Sequence, residues 1–247
     1  MRAIDLNADM GEYADEEQRA IEAAVMALIS SCSIACGGHA GDKETMRATA
    51  RLAKRHNVSV GAHPSYPDKE GFGRRTVKID PEALQESLQG QIRSLKRIVE
   101  TESITLRHVK AHGALYNDAT KDKTLARLIT EAAGDAIIIG PPGSMLEMAA
   151  RDAGKPFAAE GFVDRLYLAS GALSPRGAPG ALIDEISNRT AQAVAIARGI
   201  PFEAADGQLS LQVQTLCLHS DSPGAAETAK SVRVALENDG FAIKSFG

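Results

Sequence analysis

Cys36-Gly37-Gly38-His39-Ala40-Gly41-Asp42 decides how this chain is read. The stretch lies between a short apolar run, Ser33 to Ala35, and a helix-like stretch from Lys43 to His56. Three glycines loosen the backbone where a strand gives way to a helix. Asp42 has an ordinary local duty there, as N-cap of the following helix. His39 has none. The same layout recurs along the chain: an apolar run ends, and a histidine or a carboxylate stands just beyond it. That repeated junction reads as the active-site rim of a β/α barrel.

Upstream, Ala3 to Leu6 forms a strand that runs into Asn7, Asp9 and Glu12. Polar side chains at alternate positions past a strand can share one pocket; as turn or cap residues they would do only local work. A helix is expected from Asp15 to Ile29. Downstream, Val58 to Ala62 is a third strand, ending at His63-Pro64-Ser65-Tyr66. Gly71-Phe72-Gly73-Arg74-Arg75 then places two guanidinium groups either on a solvated surface or where a substrate anion can be clamped. Asp80-Pro81-Glu82 is a helix start, with a cap followed by proline in the first turn. Thr105 to Val109 is the fourth strand, with Lys110 and His112 alternating beyond it. Ala136 to Ile139 is the fifth, and its apolar run suits burial on both faces. The Gly140 to Ser144 turn opens a helix and offers N–H groups to an anion, without the lysine of a phosphate loop.

Pro156 to Glu160 is the sixth strand, followed by Asp164 and Arg165, which have the pattern of a surface ion pair. Leu168 to Ala181, rich in Gly, Pro and Ser, is either a mobile lid or an ordered wall. A helix from Glu185 to Arg198 precedes a hairpin turning at Asp206-Gly207. Thr215 to Leu218 is the last strand, ending in His219-Ser220-Asp221, with Ser222-Pro223 as cap and first turn of a final helix that stops at Gly240. Strands alternating with helices argue for one α/β domain over 1–247, a parallel barrel of about seven strands; an open doubly wound sheet is the alternative.

Composition narrows the function. The 247 residues are 44% hydrophobic, with no tryptophan and 4% aromatics, so the core is aliphatic. A net charge of -4 argues against nucleic-acid binding as the main role. No apolar run approaches the roughly 20 residues that span a bilayer, and no signal peptide is expected before the first strand. Cys32, Cys36 and Cys217 show no disulfide spacing and fit a reduced, cytoplasmic protein. Of six histidines, His39, His63, His112 and His219 fall just past strand ends, whereas His56 and His108 do not. In a parallel barrel those ends share one face, together with Asp9, Asp164 and Asp221. Two chemistries fit: acid–base work by imidazole and carboxylate, or a divalent metal on Asp and His that activates water. Spacing does not separate them.

Several motifs together resemble the LamB/YcsF family of 5-oxoprolinase components. They are Ile4 to Glu12, Ser33 to Asp42, Gly61 to Asp68, Gly71 to Arg75, Arg107 to Asn117, Phe162 to Tyr167 and His219 to Asp221. The chain departs from the family pattern at Ser33, usually asparagine, at Ala111, usually proline, and at Ser220, commonly glycine. The resemblance implies a seven-stranded, TIM-barrel-like fold of the sugar deacetylase and glycosidase type. It implies ATP-dependent opening of 5-oxo-L-proline to L-glutamate, with partner subunits B and C. Asp9, His39, His63, His112, Asp164, His219 and Asp221 are then the catalytic candidates. Asn7, Glu12, Tyr66, Arg75, Lys110 and Arg165 are the substrate-binding ones, with Lys110 or Arg75 meeting the substrate carboxylate. ATP is the expected cofactor, and the candidate metal is magnesium with ATP or an ion on Asp9, His39 and His63. A metal-dependent deacetylase or amidohydrolase acting alone is the alternative.

Overall fold

The computed structural model describes residues 2–175 and 177–246. Arg176, inside the predicted 168–181 stretch, lies outside the described residues, as do Met1 and Gly247. Seven parallel strands close into a barrel: β1 (Arg2–Met10), β2 (Ser31–Ala35), β3 (Ser59–His63), β4 (Leu106–Lys110), β5 (Ile137–Gly140), β6 (Phe157–Phe162) and β9 (Thr215–His219). Each pairs with the next, and β9 returns to β1 with Asp5 opposite Thr215 and Asp9 opposite His219. The expected closed barrel is therefore present, and the open sheet is not. Between them, β7 (Phe202–Ala204) and β8 (Gly207–Leu209) form the expected hairpin. The alternation of Leu209, Leu211 and Val213 suggests a longer second strand, but Leu211 and Val213 lie beyond it. A short parallel strand that the sequence did not reveal, β10 (Phe241–Ile243), lies against Arg2 to Ile4.

The helices α1 (Glu16–Met26), α2 (Lys43–Arg55), α3 (Pro81–Thr101), α4 (Gly113–Ala119), α5 (Lys123–Ala132), α6 (Met145–Asp152), α7 (Ile186–Arg198) and α8 (Ala225–Asn238) lie outside the barrel. Local chemistry fixes the starts of five of them. Asp15, Asp42, Asp80, Asp122 and Ser144 each accept a hydrogen bond from a first-turn N–H, satisfying a donor the helix itself leaves open. Ser222 is not such a cap: α8 starts at Ala225, and the Ser222 hydroxyl turns inward to Asp164. The apolar core fills the layer between strands and helices, with Leu6, Met10, Ile34, Leu88, Leu95 and Leu216 fully enclosed. No helix of the described residues is long and apolar enough to cross a membrane.

Inside the barrel the packing is different. Such interiors are usually filled by layers of branched aliphatic residues. Here Asp5, Asn7 and Asp9 of β1 meet Ser31 and Ser33 of β2, His108 and Lys110 of β4, Glu160 of β6, and Thr215 and Cys217 of β9. This polar column survives burial because its members bond to one another. Asp5 accepts from Ser30 (2.6 Å), Ser31 (2.7 Å) and Thr215 (2.5 Å). Burial nonetheless pushes its carboxyl up to about 6. His108, which from its place inside a strand could be packed or surface-exposed, is packed within the column. It occupies the space a side chain on Gly61 would need: a Cβ there would meet its ring at 2.0 Å. The Phe246 ring packs edge-on against His108.

Candidate active site

The strand ends deliver their polar side chains through tightly built turns. After β1, Gly11 adopts φ 75°. The Glu22 carboxylate of α1 accepts from the N–H groups of Gly11 (2.7 Å) and Glu12 (3.0 Å), fixing the turn that carries Glu12 inward. After β2, glycine is required for two reasons. Gly41 has φ 81° with a Cβ position 2.5 Å from the Ala35 carbonyl, and a Cβ on Gly38 would meet the ends of Gln91 and Ser65 at 2.4 Å. This compression brings the His39 ring against the His112 ring, 3.7 Å between centroids and parallel. After β3, Gln91 of α3 clamps both backbone groups of Ser65. Phe72, at φ 52°, offers its carbonyl to His112.

Three linked groups result. In the first, Glu12 Oε1 lies 2.7 Å from His39 Nε2, 3.2 Å from His112 Nδ1 and 3.7 Å from His63 Nε2. His63 Nδ1 donates to the Lys110 carbonyl (2.8 Å) and His112 Nε2 to the Phe72 carbonyl (3.0 Å). Burial alone would raise the Glu12 carboxyl, but the His112 and His39 imidazoles beside it hold it far below the usual range. His39 is pulled down to about 4, chiefly by burial. One ligand atom from each of Glu12, His39, His63 and His112 lies within 4.8 Å of the others, an arrangement able to hold a metal ion.

The second group centres on Lys110, whose ammonium sits 2.8 Å from Asp9 Oδ1, 2.9 Å from Glu160, 3.1 Å from Asn7 Oδ1 and 3.1 Å from Cys217 Sγ. Burial works against this cation, but Asp9, Cys217 and Glu160 together hold it well above its ordinary value. Asp9 is held well below its own: burial opposes ionisation, and His63 and then Lys110 outweigh it. Tyr116 donates to the other oxygen of Glu160 at 2.9 Å. In the third group, Asp164 accepts from His219 Nδ1 (2.9 Å), Ser222 Oγ (2.9 Å) and the His219 N–H (3.3 Å). The carboxylate is buried, yet His219 and these donors lower it to about 2. Phe162 stacks on the His219 ring.

These groups border one cavity of about 690 Å³. Asp9, Glu12, His63, Lys110, His112, Arg165, His219 and Asp221 line it. His39 stands behind His112, Asp164 behind His219, and Asn7 beneath Lys110. Tyr66 and Arg75 are not among the lining residues. The Tyr66 hydroxyl is spent on Asp118 (3.0 Å), and Arg75 pairs with Asp68 on the outer loop. Its neighbour Arg74 lines the cavity instead, its guanidinium paired with Asp221 at 2.6 Å. Asp164 and Arg165 do not form a surface pair, since both are buried. The guanidinium of Arg165 donates to the carbonyls of Ser174 and Ala181 and so pins the glycine-rich stretch as a wall.

The expected anion-binding turn is already occupied: Gly143 N–H donates to Glu147 of its own helix. Sequence reasoning missed Glu160, Tyr116 and Phe162. A carboxylate inside the otherwise small and apolar strand Ala158 to Gly161 was the available signal. A shallower depression of about 740 Å³ along α7, lined by Ile186, Thr190, Val194 and Ile200 among others, presents no titratable side chain.

Known proteins share this architecture. The LamB/YcsF family model matches residues 4–247. A Bordetella pertussis protein, named as the A component of 5-oxoprolinase, is 44% identical over 98% of each chain. The crystal structure of a lactam utilization protein from Thermus thermophilus superposes with a TM-score of 0.89 at 37% identity, covering 99% of this chain and 100% of that one. A family 4 acetyl xylan esterase from Clostridium thermocellum, solved with a cobalt ion, shares only the fold, with a TM-score of 0.51 at 10% identity over 98% and 87% of the two chains.

Proposed function

Since the chain belongs to the LamB/YcsF family, we propose that it is the lactam-opening component of a 5-oxoprolinase, hydrolysing 5-oxo-L-proline to L-glutamate as ATP becomes ADP and phosphate. One observation carries the reading. In a chain aligned over nearly its full length with a relative of that name, a histidine oriented by a buried carboxylate opens onto a polar cavity with fixed cations. The assembly includes two further chains of the B and C type. ATP, with its magnesium, belongs to those partners in this reading, and the glycine-rich turn before α6 is already taken by Glu147.

The residues present suit the chemistry. A five-membered lactam is a poor electrophile, and phosphorylation of its carbonyl oxygen makes the ring carbon attackable. The Asp164 carboxylate holds a proton on His219 Nδ1, so Nε2 is the nitrogen that takes a proton from water. Water adds to the carbon, the ring C–N bond breaks as its nitrogen is protonated, and a γ-glutamyl phosphate results. A second water converts this to glutamate and phosphate. Lys110 stays charged at the cavity floor beside the developing negative charge. Arg74, already on the wall, is the group placed to meet the substrate carboxylate.

The test is glutamate release from 5-oxo-L-proline and ATP by this chain alone, by its partner chains alone, and by the full mixture. Release in the full mixture only supports the proposal. Equal release when this chain is omitted would remove it from the reaction.

A further inference from the structure

The bonding of the imidazoles around Glu12 leaves a specific deficit. His63 Nδ1 faces the Lys110 carbonyl at 2.8 Å, and His112 Nε2 faces the Phe72 carbonyl at 3.0 Å. A carbonyl only accepts, so each of these nitrogens carries the hydrogen, and a neutral ring then has none on the other side. The two bare nitrogens, His63 Nε2 and His112 Nδ1, nevertheless lie 2.9 Å apart. Glu12 Oε1 is 3.2 Å from the second and 3.7 Å from the first, and Asp9 Oδ2 is 3.2 Å from His63 Nε2. Lone pairs of two rings and two carboxylates thus converge with no hydrogen between them. Buried acceptors facing one another are costly unless a cation is shared among them.

We propose that Glu12 Oε1, His63 Nε2 and His112 Nδ1 bind a divalent first-row transition metal ion, with a further coordination position open to the cavity. The inference concerns the same cavity but does not depend on the lactam reading. A single shared proton would relieve one of these contacts; an ion at their centre relieves all of them. Ligands at about 2.1 Å from such an ion stand roughly 3.0–3.4 Å apart, and the three separations found span 2.9 to 3.7 Å.

Two imidazoles with one carboxylate select a transition ion over magnesium or calcium, which favour all-oxygen sites. The backbone carbonyls of Lys110 and Phe72 fix the tautomers, as carbonyls do for metal-bound histidines. His39, stacked on His112 and deeply buried, donates from Nε2 to Glu12 at 2.7 Å and keeps that carboxylate aimed. The ligand set differs from the sequence expectation of Asp9, His39 and His63. Only His63 is common to both, because the turn at Gly11 brings in Glu12 and the rim after β4 brings in His112.

The test reads metal rather than turnover. The purified chain is stripped with a chelator, reloaded with cobalt(II) or zinc(II), freed of excess ion by gel filtration and assayed for metal content. One ion per chain is expected. His63→Ala, His112→Ala and Glu12→Gln should each weaken binding by about tenfold or more, while His56→Ala, at an exposed histidine, leaves it unchanged. Because the buried variants risk misfolding, the wild-type chain loaded with manganese(II) is also examined by pulsed paramagnetic resonance. Modulation from directly bound imidazole nitrogens supports the site. Absence of bound ion in the wild type, or an ion without imidazole coupling, overturns the proposal.

Discussion

The two sides of the barrel mouth use one residue type in opposite ways. On the β6–β9 side, His219 gives its Nδ1 hydrogen to the buried Asp164 carboxylate, 2.9 Å away, and stacks on Phe162. On the β1–β4 side, His63 and His112 give their hydrogens to backbone carbonyls and turn bare nitrogens toward Glu12 and each other. The partner of the outer nitrogen decides the chemistry of the inner one. A carboxylate behind the ring stabilises the imidazolium and suits proton transfer. A neutral carbonyl fixes the tautomer without supplying charge, and the inner nitrogens become acceptors that need a cation.

The contrast is broken or sharpened by four substitutions. The largest effect is expected for His219→Ala, which should lower glutamate release in the reconstituted mixture by about 10²–10⁴-fold, with the circular dichroism spectrum unchanged. An unaltered rate would erase the distinction between the two sides. Next is Lys110→Met, which leaves Asp9 and Glu160 buried without their shared cation. Urea unfolding should show a loss of about 3–5 kcal/mol, partly restored when Glu160→Gln is added. If the single variant is as stable as wild type, the cation is not what holds the column between the two sides together.

The third concerns Asp5, which shares the barrel axis but lies below the cavity. Its folded carboxyl titrates near 6 because burial raises it from 3.8, so the native state binds the proton more tightly than the unfolded chain does. The stability this group contributes is complete below about pH 4 and is lost as pH rises through 6, by ~3 kcal/mol in all. Asp5→Asn should flatten that part of the stability–pH curve without changing turnover. A slope that persists in the variant would assign it to another group. The smallest effect belongs to Tyr66→Phe. Losing the bond to Asp118 should cost about 1 kcal/mol in thermal unfolding, and the KM for 5-oxo-L-proline should not move. A raised KM would return Tyr66 to the cavity.

All seven barrel strands were legible because each strings apolar residues together, or alternates them with polar ones, up to a glycine, a proline or a polar residue. The Asp80-Pro81 helix start was legible for the equally local reason of capping. β10, only three residues long, carries too little pattern to be seen, and it exists because Arg2 to Ile4 offer it an edge. The pair α4 and α5 between β4 and β5 departs from the single crossover helix that alternation suggests. At the site, residues on or next to strands could be placed by alternation, as Asp9, His63 and Lys110 were. Loop residues could not. The Asp68–Arg75 pair folds the loop back, so Tyr66 and Arg75 turn away while Arg74 turns in. Glu160 was overlooked because its partners, Lys110, Asn7 and Tyr116, come from distant strands and a helix.

The most direct measurement is the crystal structure of the chain with 5-oxo-L-proline bound. The account predicts the lactam ring inside the cavity, its carbonyl carbon facing His219 on one side with the Glu12, His63 and His112 group across from it. A ring bound along α7, or anywhere that places neither group within reach of the lactam, would contradict it.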